Sequence, residues 1–371
     1  MKKNIYTMLV LAFLEAGTNA QDIEKRKADY FSFGASYVGD VVGNFSGGIK
    51  TGATCLGMAA ITVGFDTEKA NWWKGGELFV KGGNTHGGEP SATLIGDFQK
   101  VSNIEAGNHT YLYELWYRQR FGRLSFTAGL QDLNADYAAS EGGALFNNSY
   151  FGIHSVCADN VPAPIFPMTG LALNIAWDIA KSYRWQVAVW DAYLYCWEEN
   201  PYNLRWNLSA KEGLLAITEF QVANSLIKGH AGEYKIGGYY YHSSIDPEMP
   251  DNNFGFYFVG DQEITDKFAL FAQIGFSPEK YNSHTQCYGL GMTVRNFSSQ
   301  RPDDKIGLAA NYAVFTDNEA GNEAVIELQY HLQLNGNIYL KPDIQYIINP
   351  AGSDEKLKNA LVAMLRFGVE F

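Results

Sequence analysis

The stretch EAVIELQYHLQLNGNIYLKPDIQYII, residues 323–348, alternates apolar and polar side chains on both sides of a turn signal. Before the turn, every second residue is apolar, and most of the residues between are charged or carry amides: Ala324, Ile326, Leu328, Tyr330, Leu332 and Leu334 form the apolar row. Successive side chains of a strand point to opposite sides, so this period of two predicts a strand with one apolar face. Asn335-Gly336 is a favoured two-residue hairpin turn, and the stretch therefore predicts a β-hairpin.

Alternation of the same kind recurs along most of the chain. It covers residues 111–120, 124–131, 268–276 and 306–315, and the chain ends in a further apolar row from Leu361 to Phe371. Helix-like character after the N-terminus is confined to the polar segment 21–29, which disfavours an alternation of strands and helices. The sequence therefore predicts an all-β protein.

The first twenty residues have the features of a secretory signal peptide. Lys2 and Lys3 precede an apolar run at residues 5–14, and Thr18-Asn19-Ala20 supplies the small residues that direct cleavage. An apolar run of about ten residues is too short to cross a bilayer as a helix. We therefore expect residues 1–20 to be removed and residues 21–371, with 26 basic and 39 acidic side chains, to form one exported domain.

Charge, cysteine spacing and motifs exclude several classes of protein. A formal charge of −12 argues against a nucleic-acid partner, because phosphate binding needs a basic surface. The four cysteines lie far apart without a C-x-x-C pair, at Cys55, Cys157, Cys196 and Cys287. We expect no metal or other cofactor, and the spacing leaves disulfide pairing open. Glu323 and Glu327 would lie about 13 Å apart on a strand, too far for a glycosidase pair, and hydrolase motifs are missing, so no enzymatic activity is expected.

Two all-β architectures fit these strands: a soluble sandwich or propeller, and a transmembrane barrel. A membrane barrel needs strands of about ten residues, an apolar outer band bordered by aromatic residues, and short turns at one end against longer loops at the other. The chain supplies 15% aromatic residues, the tight turn at Asn335-Gly336 and the long polar stretch 133–170. About 350 residues at roughly 20 to 22 per strand predict a barrel of about sixteen antiparallel strands in the outer membrane of a Gram-negative bacterium, in contact with its lipid.

Seven short motifs follow one another along this chain. They are GDVVGNFSGG at 39–48, WKGG at 73–76, IGD at 95–97, VSNIE at 101–105, YELW at 113–116, LFNNSYFG at 145–152 and KPDIQY at 341–346. In this order the series resembles the carbohydrate-selective porins of the OprB type. The resemblance implies a sixteen-stranded passive channel with sugars as the permeating solutes.

The strand around Glu114 offers the best candidate for a sugar site. Alternation places Tyr111, Tyr113, Leu115 and Tyr117 on one face, and it places Glu114, Trp116, Arg118 and Arg120 on the other, which we assign to the lumen. Carboxylate and guanidinium groups pair with sugar hydroxyls, and an aromatic ring stacks on the C–H face of a hexose. The alternative is a ladder of salt bridges that braces the barrel wall.

Four further residues are candidates for the pore lining. Trp190, with Gln186 on the same strand, resembles the Glu114 face, although a tryptophan there also fits the aromatic girdle at the membrane interface. Glu219, Asp261 and Gln262 follow apolar runs and resemble positions that the family retains, which implies a place in the pore lining; the alternative is ordinary polarity on the wet side of the wall.

The segment 133–170, stiffened by Pro162, Pro164 and Pro167, is long enough to be functional. We expect a constriction loop that folds into the lumen, with a surface loop over the mouth as the alternative. Phe371, the terminal aromatic residue, is expected to be the recognition end for the barrel-assembly machinery. Assembly into a homo-oligomer stays open.

The rival functions are a general non-selective or cation-preferring porin, a barrel enzyme, and a soluble secreted glycan-binding β protein. An apolar-faced last strand ending in Phe371 argues against the soluble protein.

Overall fold

The computed structural model describes residues 30–206, 212–224, 226–245, 250–316, 321–352 and 356–371. The predicted signal peptide 1–20 and the polar segment 21–29 lie outside these residues. In the described ranges, sixteen strands form one closed barrel in which every strand pairs antiparallel with its neighbours in the chain. The predicted architecture and strand number are confirmed.

The strands alternate in direction around the barrel. Their bounds are β1 Phe31–Gly48, β2 Gly52–Asp66, β3 Gly76–Gly87, β4 His109–Phe121, β5 Leu124–Gln131, β6 Gly170–Ala180, β7 Tyr183–Asp191, β8 Leu214–Ala223, β9 Gly232–His242, β10 Asn252–Glu263, β11 Phe268–Phe276, β12 His284–Arg295, β13 Lys305–Phe315, β14 Glu323–Gln333, β15 Ile338–Ile348 and β16 Lys358–Glu370. Two of the predicted strands, β5 and β11, have the bounds expected from alternation.

The apolar row of β14 faces outward. On β14, Ile326 and Leu328 are 43% and 48% exposed, whereas Glu327 between them is fully buried. Lipid is the solvent of the outer face in a membrane barrel, so an apolar exterior and a polar interior are the stable arrangement. The period of two in the sequence therefore reports which side chains point into the barrel.

The hairpin after β14 differs from the prediction in its turn. Four residues, 334–337, connect β14 to β15 instead of two. The side-chain Oδ1 of Asn335 accepts hydrogen bonds from the backbone N–H groups of Asn337 at 2.9 Å and Ile338 at 3.0 Å. Asn335 thus stabilises the turn through its side chain, as asparagine often does in turns.

The last strand closes the barrel against the first. β1 pairs with β16 from Ser36 opposite Glu370 onward. Phe371 continues this ladder, because its N–H donates to the carbonyl of Ala35 at 2.9 Å and its carbonyl accepts from the Ala35 N–H at 3.1 Å. We call this end of the barrel the terminus end.

The connections at the two ends differ in length. At the terminus end, β4 and β5 are two residues apart, whereas at the opposite end residues 88–108 and 132–169 separate β3 from β4 and β5 from β6. These two long connections contain five short helical segments: Ser91–Ile95, Leu133–Asp136, Gly143–Leu145, Ser149–Gly152 and Ser155–Asp159. Among the described segments, no helix is long and apolar enough to cross a membrane.

Candidate functional site

Residues 88–108, the first inner loop, are bonded to inward-facing side chains of the wall. The carboxylate of Glu323 on β14 accepts the N–H groups of Phe98 at 2.8 Å and Gln99 at 2.9 Å. On β1, Asp40 accepts from the hydroxyl of Ser102 at 2.7 Å. The sequence prediction missed this loop, although the 21 residues between β3 and β4 are too many for a tight turn.

Residues 132–169, the second inner loop, are bonded to the inner faces of many strands. Carboxylates of the wall accept backbone N–H groups of the loop: Glu219 on β8 from Ala138 at 2.8 Å, Asp261 on β10 from Gly142 at 2.8 Å, and Glu327 on β14 from Asn147 at 2.7 Å and Asn148 at 2.9 Å. The amines of Lys235 on β9 and Lys341 on β15 donate to loop carbonyls at 2.8 and 2.7 Å. The loop therefore runs along the interior from β6 to β15, away from β1, β2 and β3.

Apolar side chains hold the second inner loop as well. Tyr137, Val156 and Cys157 of the loop share one buried cluster with inward-facing side chains of the wall, among them Leu215 and Tyr239. This packing explains why apolar residues occur on the inner face, where a membrane barrel otherwise has polar groups. Together with the loop they exclude water.

Trp190 belongs to this cluster and is not part of an accessible pore lining. It is 2% exposed, its ring packs edge-on against Tyr137 at 5.7 Å, and its indole N–H donates to the carbonyl of Gln131 at 3.4 Å. The prediction of a pore-lining Trp190 is therefore wrong, and so is the girdle alternative, because the side chain points inward and is covered by the loop.

Glu219 and Asp261 point inward as predicted, but loop contacts occupy their carboxylates. Glu219 accepts from Ala138 and also from Tyr257 at 2.8 Å and Gln221 at 2.7 Å. One oxygen of Asp261 accepts from Ser140 at 2.9 Å in addition to the Gly142 N–H. Both residues therefore attach the loop to the wall.

Gln262 lies on the other face of β10, and its prediction as a pore residue is wrong. Its Oε1 accepts from the Leu226 N–H at 3.2 Å and from the Tyr234 hydroxyl, and its amide donates to the Ala231 carbonyl at 3.0 Å. Adjacent residues of a strand point to opposite sides, so Asp261 and Gln262 cannot both face the lumen.

The remaining candidates lie on β4, whose inner face is buried at Glu114 and becomes more exposed toward Arg118 and Arg120 at the terminus end. The Phe79 and Trp116 rings stack with centroids 5.0 Å apart, and the Arg118 guanidinium lies 4.6 Å from the centre of the Trp116 ring. The Trp116 indole N–H donates to Glu114 at 3.3 Å. Glu114, Trp116 and Arg118 therefore form one connected group on the inner face.

Arg118 pairs with two carboxylates that lie outside β4. Its guanidinium lies 3.9 Å from Glu77 on β3 and 3.9 Å from Asp136 of the second inner loop. Its Nε donates to the Thr127 hydroxyl at 3.0 Å. Sequence reasoning treated β4 alone and so missed Glu77; pairing β3 with β4 places Glu77 directly opposite Arg118.

A β-bulge in β4 corrects the predicted faces of Tyr111 and Tyr113. Lys81 pairs with Glu114 and Gly82 with Leu112, so Tyr113 is the extra residue. Both tyrosines are 3% exposed, and the Tyr113 hydroxyl donates to Asp132 at 2.5 Å while the Lys81 amine lies 4.6 Å from its ring. Tyr111 and Tyr113 therefore share the inner face with Glu114, which strict alternation does not allow.

The four cysteines are free thiols. Cys157 and Cys287 are buried, and burial raises the pKa of the Cys157 thiol in the second inner loop. Over the described residues, no group of three or more histidine, cysteine or acidic side chains is placed to hold a metal ion.

The sequence model of the carbohydrate-selective porins, OprB family, matches residues 50–371. The chain belongs to this family. The porin is 23% identical to Porin B of Pseudomonas aeruginosa, over 92% of this chain and 87% of that protein. It is also 23% identical to the putative porin QuiX of Acinetobacter baylyi, over 96% of this chain and 92% of that protein.

Solved structures agree with the barrel of this porin. The high-pH structure of Pseudomonas putida OprB superposes with a TM-score of 0.83 at 22% identity, covering 96% of this chain and 97% of that one. OmpF of Salmonella typhi gives 0.61 at 9% identity, which shows the same fold class. The porin is thus an outer-membrane channel, and the predicted family is confirmed.

Proposed function

We propose that this porin carries neutral monosaccharides and short oligosaccharides by passive diffusion along the wall formed by β1 to β5. The carrying observation is the connected group on β3 and β4, where the partly exposed Glu77, Trp116 and Arg118 combine a carboxylate, an aromatic ring and a guanidinium, and the buried Glu114 accepts from the Trp116 indole. These groups form hydrogen bonds with sugar hydroxyls and contacts with sugar C–H faces. Family membership supports a sugar as the solute.

The second inner loop narrows this path in our proposal. It is attached to the strands from β6 to β15, and its Asp136 reaches the β4 wall through Arg118. A barrel of sixteen strands is otherwise wide enough for an aqueous channel without selectivity for small solutes. The loop therefore directs solutes past the β4 group.

Solute flux into proteoliposomes tests the proposal. A size series of neutral sugars is compared with charged solutes of matched size, and we expect the sugars to pass faster and to saturate. Equal rates for sugars and matched neutral non-sugar solutes would contradict selectivity and leave a general porin.

Trp116→Ala tests the β4 group directly. The variant loses a stacking contact worth about 1 kcal/mol. We therefore expect the sugar concentration at half-maximal flux to rise roughly fivefold. Arg118→Ala leaves Glu77 and Asp136 without their guanidinium, so we expect weaker sugar selection together with a stronger preference for cations. Identical saturation curves for a folded Trp116→Ala variant would refute the site, and loss of thermal stability alone would indicate a bracing ladder.

A cation-preferring porin is the second candidate function, favoured by the 39 acidic against 26 basic residues of segment 21–371. Many inward carboxylates are bonded to the inner loops, however, which reduces their effect on ions. We expect a weak cation preference at low salt that fades as salt rises, since charges are screened over about 8 Å at physiological ionic strength. Anion selectivity in a reversal-potential measurement would contradict it.

We further propose that the segment 1–20 is cleaved on export, that the assembly machinery recognises Phe371, and that no enzymatic step accompanies transport. Mass determination of the purified protein tests the cleavage. Homo-oligomerisation stays a prediction, and the native mass in detergent checks it.

A further inference from the structure

A cleft of about 430 Å³ lies in the wall at the terminus end of the barrel. It is formed by the start of β1, the end of β2 with its turn, and the facing ends of β3 and β4. Ser32 and Gly64, paired across β1 and β2, both line it, and these small residues leave the space open. Its volume falls in the range of small-ligand sites, roughly 300 to 1,000 Å³.

The charges of the cleft balance. Six charged residues line it, three acidic and three basic: Asp66, Glu68, Glu77, Lys69, Arg118 and Arg120. Some of these are already paired, Lys69 with Asp66 at 3.6 Å and Arg118 with Glu77 at 3.9 Å. A balanced lining gives little net attraction to an ion but offers many hydrogen-bond donors and acceptors.

Two of the six charged groups are available to a ligand. The side chains of Glu68 and Arg120 take part in no ion pair or hydrogen bond with other described residues. The guanidinium offers several donors in one plane, and the carboxylate offers acceptors. Tyr30, which also lines the cleft, adds an aromatic ring. The neighbouring Phe31 points to the outer face and packs on Phe65, so its ring is not part of the inner surface. A donor, an acceptor and a ring on one concave surface suit a polyhydroxylated neutral molecule.

We propose that this cleft is a second sugar site, which binds one or two neutral sugar rings at the terminus end before release or after entry. The inference rests on the proposed sugar transport and adds a site that adjoins the β4 group and shares Glu77 and Arg118 with it but does not include Trp116. Arg118 connects the two, because it contacts Trp116 and also lines the cleft. A sugar that leaves the β4 group therefore enters the cleft next.

Current fluctuations of single channels in planar bilayers test the cleft. Glucose or maltose is added to one side at a time, and the association rate is measured from the sugar-induced noise. An epitope inserted into the connection at residues 243–245, at the opposite end, identifies the orientation by antibody binding. Arg120→Ala is expected to lower association from the terminus end roughly tenfold and to leave association from the opposite end unchanged.

The matched control is Lys267→Ala, which removes one positive charge from the turn between β10 and β11, outside the cleft. It should leave sugar association unchanged from both sides. Glucuronate in place of glucose tests the charge argument, and stronger association of the anion would overturn the neutral-ligand assignment. Equal loss in Arg120→Ala and Lys267→Ala, or no loss in either, would overturn the cleft.

The two proposals fail in different ways. If sugars cause no noise from either side and no selective flux, the proposed sugar transport fails. If Trp116→Ala weakens sugar saturation but Arg120→Ala changes nothing, sugar transport stands and the second site fails.

Discussion

Glu219→Gln decides between two roles of a carboxylate on the barrel wall, a pore-lining charge and an attachment point for the second inner loop. Each oxygen of Glu219 accepts two hydrogen bonds. Oε2 accepts from the Ala138 N–H at 2.8 Å and the Tyr257 hydroxyl at 2.8 Å, and Oε1 accepts from the amides of Gln186 at 3.1 Å and Gln221 at 2.7 Å. A glutamine in either orientation turns an NH2 group toward two donors.

The expected size of the effect follows from this geometry. The attachment loses a charge-assisted bond and leaves a buried donor without an acceptor, at a cost of about 2 kcal/mol. That cost raises the population with the loop segment detached roughly 30-fold. Since the barrel strands keep their own ladders, we expect the loop to loosen while the barrel stays folded.

Hydrogen exchange of the peptide that contains Ala138 measures this directly, and the open-channel current noise gives a second readout. The control is Asp178→Asn, which removes a half-exposed carboxylate on β6 whose partner is Arg184 at 3.5 Å. Glu219→Gln should speed exchange in the loop, and Asp178→Asn should not. If both variants change the ion selectivity equally and hydrogen exchange of the loop stays unchanged, the attachment role is refuted and Glu219 acts as a simple pore charge.

Two further predictions concern assembly and pH. Phe371→Ala keeps the backbone bonds to Ala35 and removes only the ring, so we expect less assembled barrel with unchanged conductance, and normal outer-membrane levels would contradict this. Burial raises the pKa of Glu105 to about 7, and burial with the nearby Glu323 charge raises that of Asp97 to about 7. Both carboxyls favour the packed first inner loop when they are neutral. Their contribution to the stability of the packed loop is therefore fully present below about pH 4 and is lost as the pH rises through 7. The ratio of tryptic cleavage rates in this loop at pH 8 and pH 6 should therefore be larger for the unchanged protein than for the double variant Asp97→Asn, Glu105→Gln, whose ratio reports the pH dependence of trypsin alone.

The sequence by itself determined the all-β class, the approximate number of strands and, for the strands that alternation located, most of the inward and outward faces. Alternation is a local property, because each side chain's position on a strand depends only on its place in a period of two. It therefore located β5 and β11 to the residue and assigned Glu327 and its polar neighbours to one face. The ordered motifs added the family, which the match over residues 50–371 confirms.

Only the tertiary structure decided what those inward faces contact. The pairs Asn147 with Glu327 and Ala138 with Glu219 are separated by 180 and 81 residues, and no local pattern reports such contacts. The sequence pattern of an inward carboxylate is the same whether its hydrogen-bond donors are water molecules or backbone N–H groups of a loop.

The bulge at Tyr113 shows the same limit within one strand. One extra residue shifts the period of two, and it depends on how β3 pairs with β4 rather than on β4 alone. Sequence reasoning therefore assigned Glu114, Trp116 and Arg118 to the inner face but left Tyr113 on the wrong one. The closed barrel and the loop folded inside it together define the channel path. Which wall residues the loop buries depends on contacts between segments that are far apart in the sequence, so only the folded chain decides it.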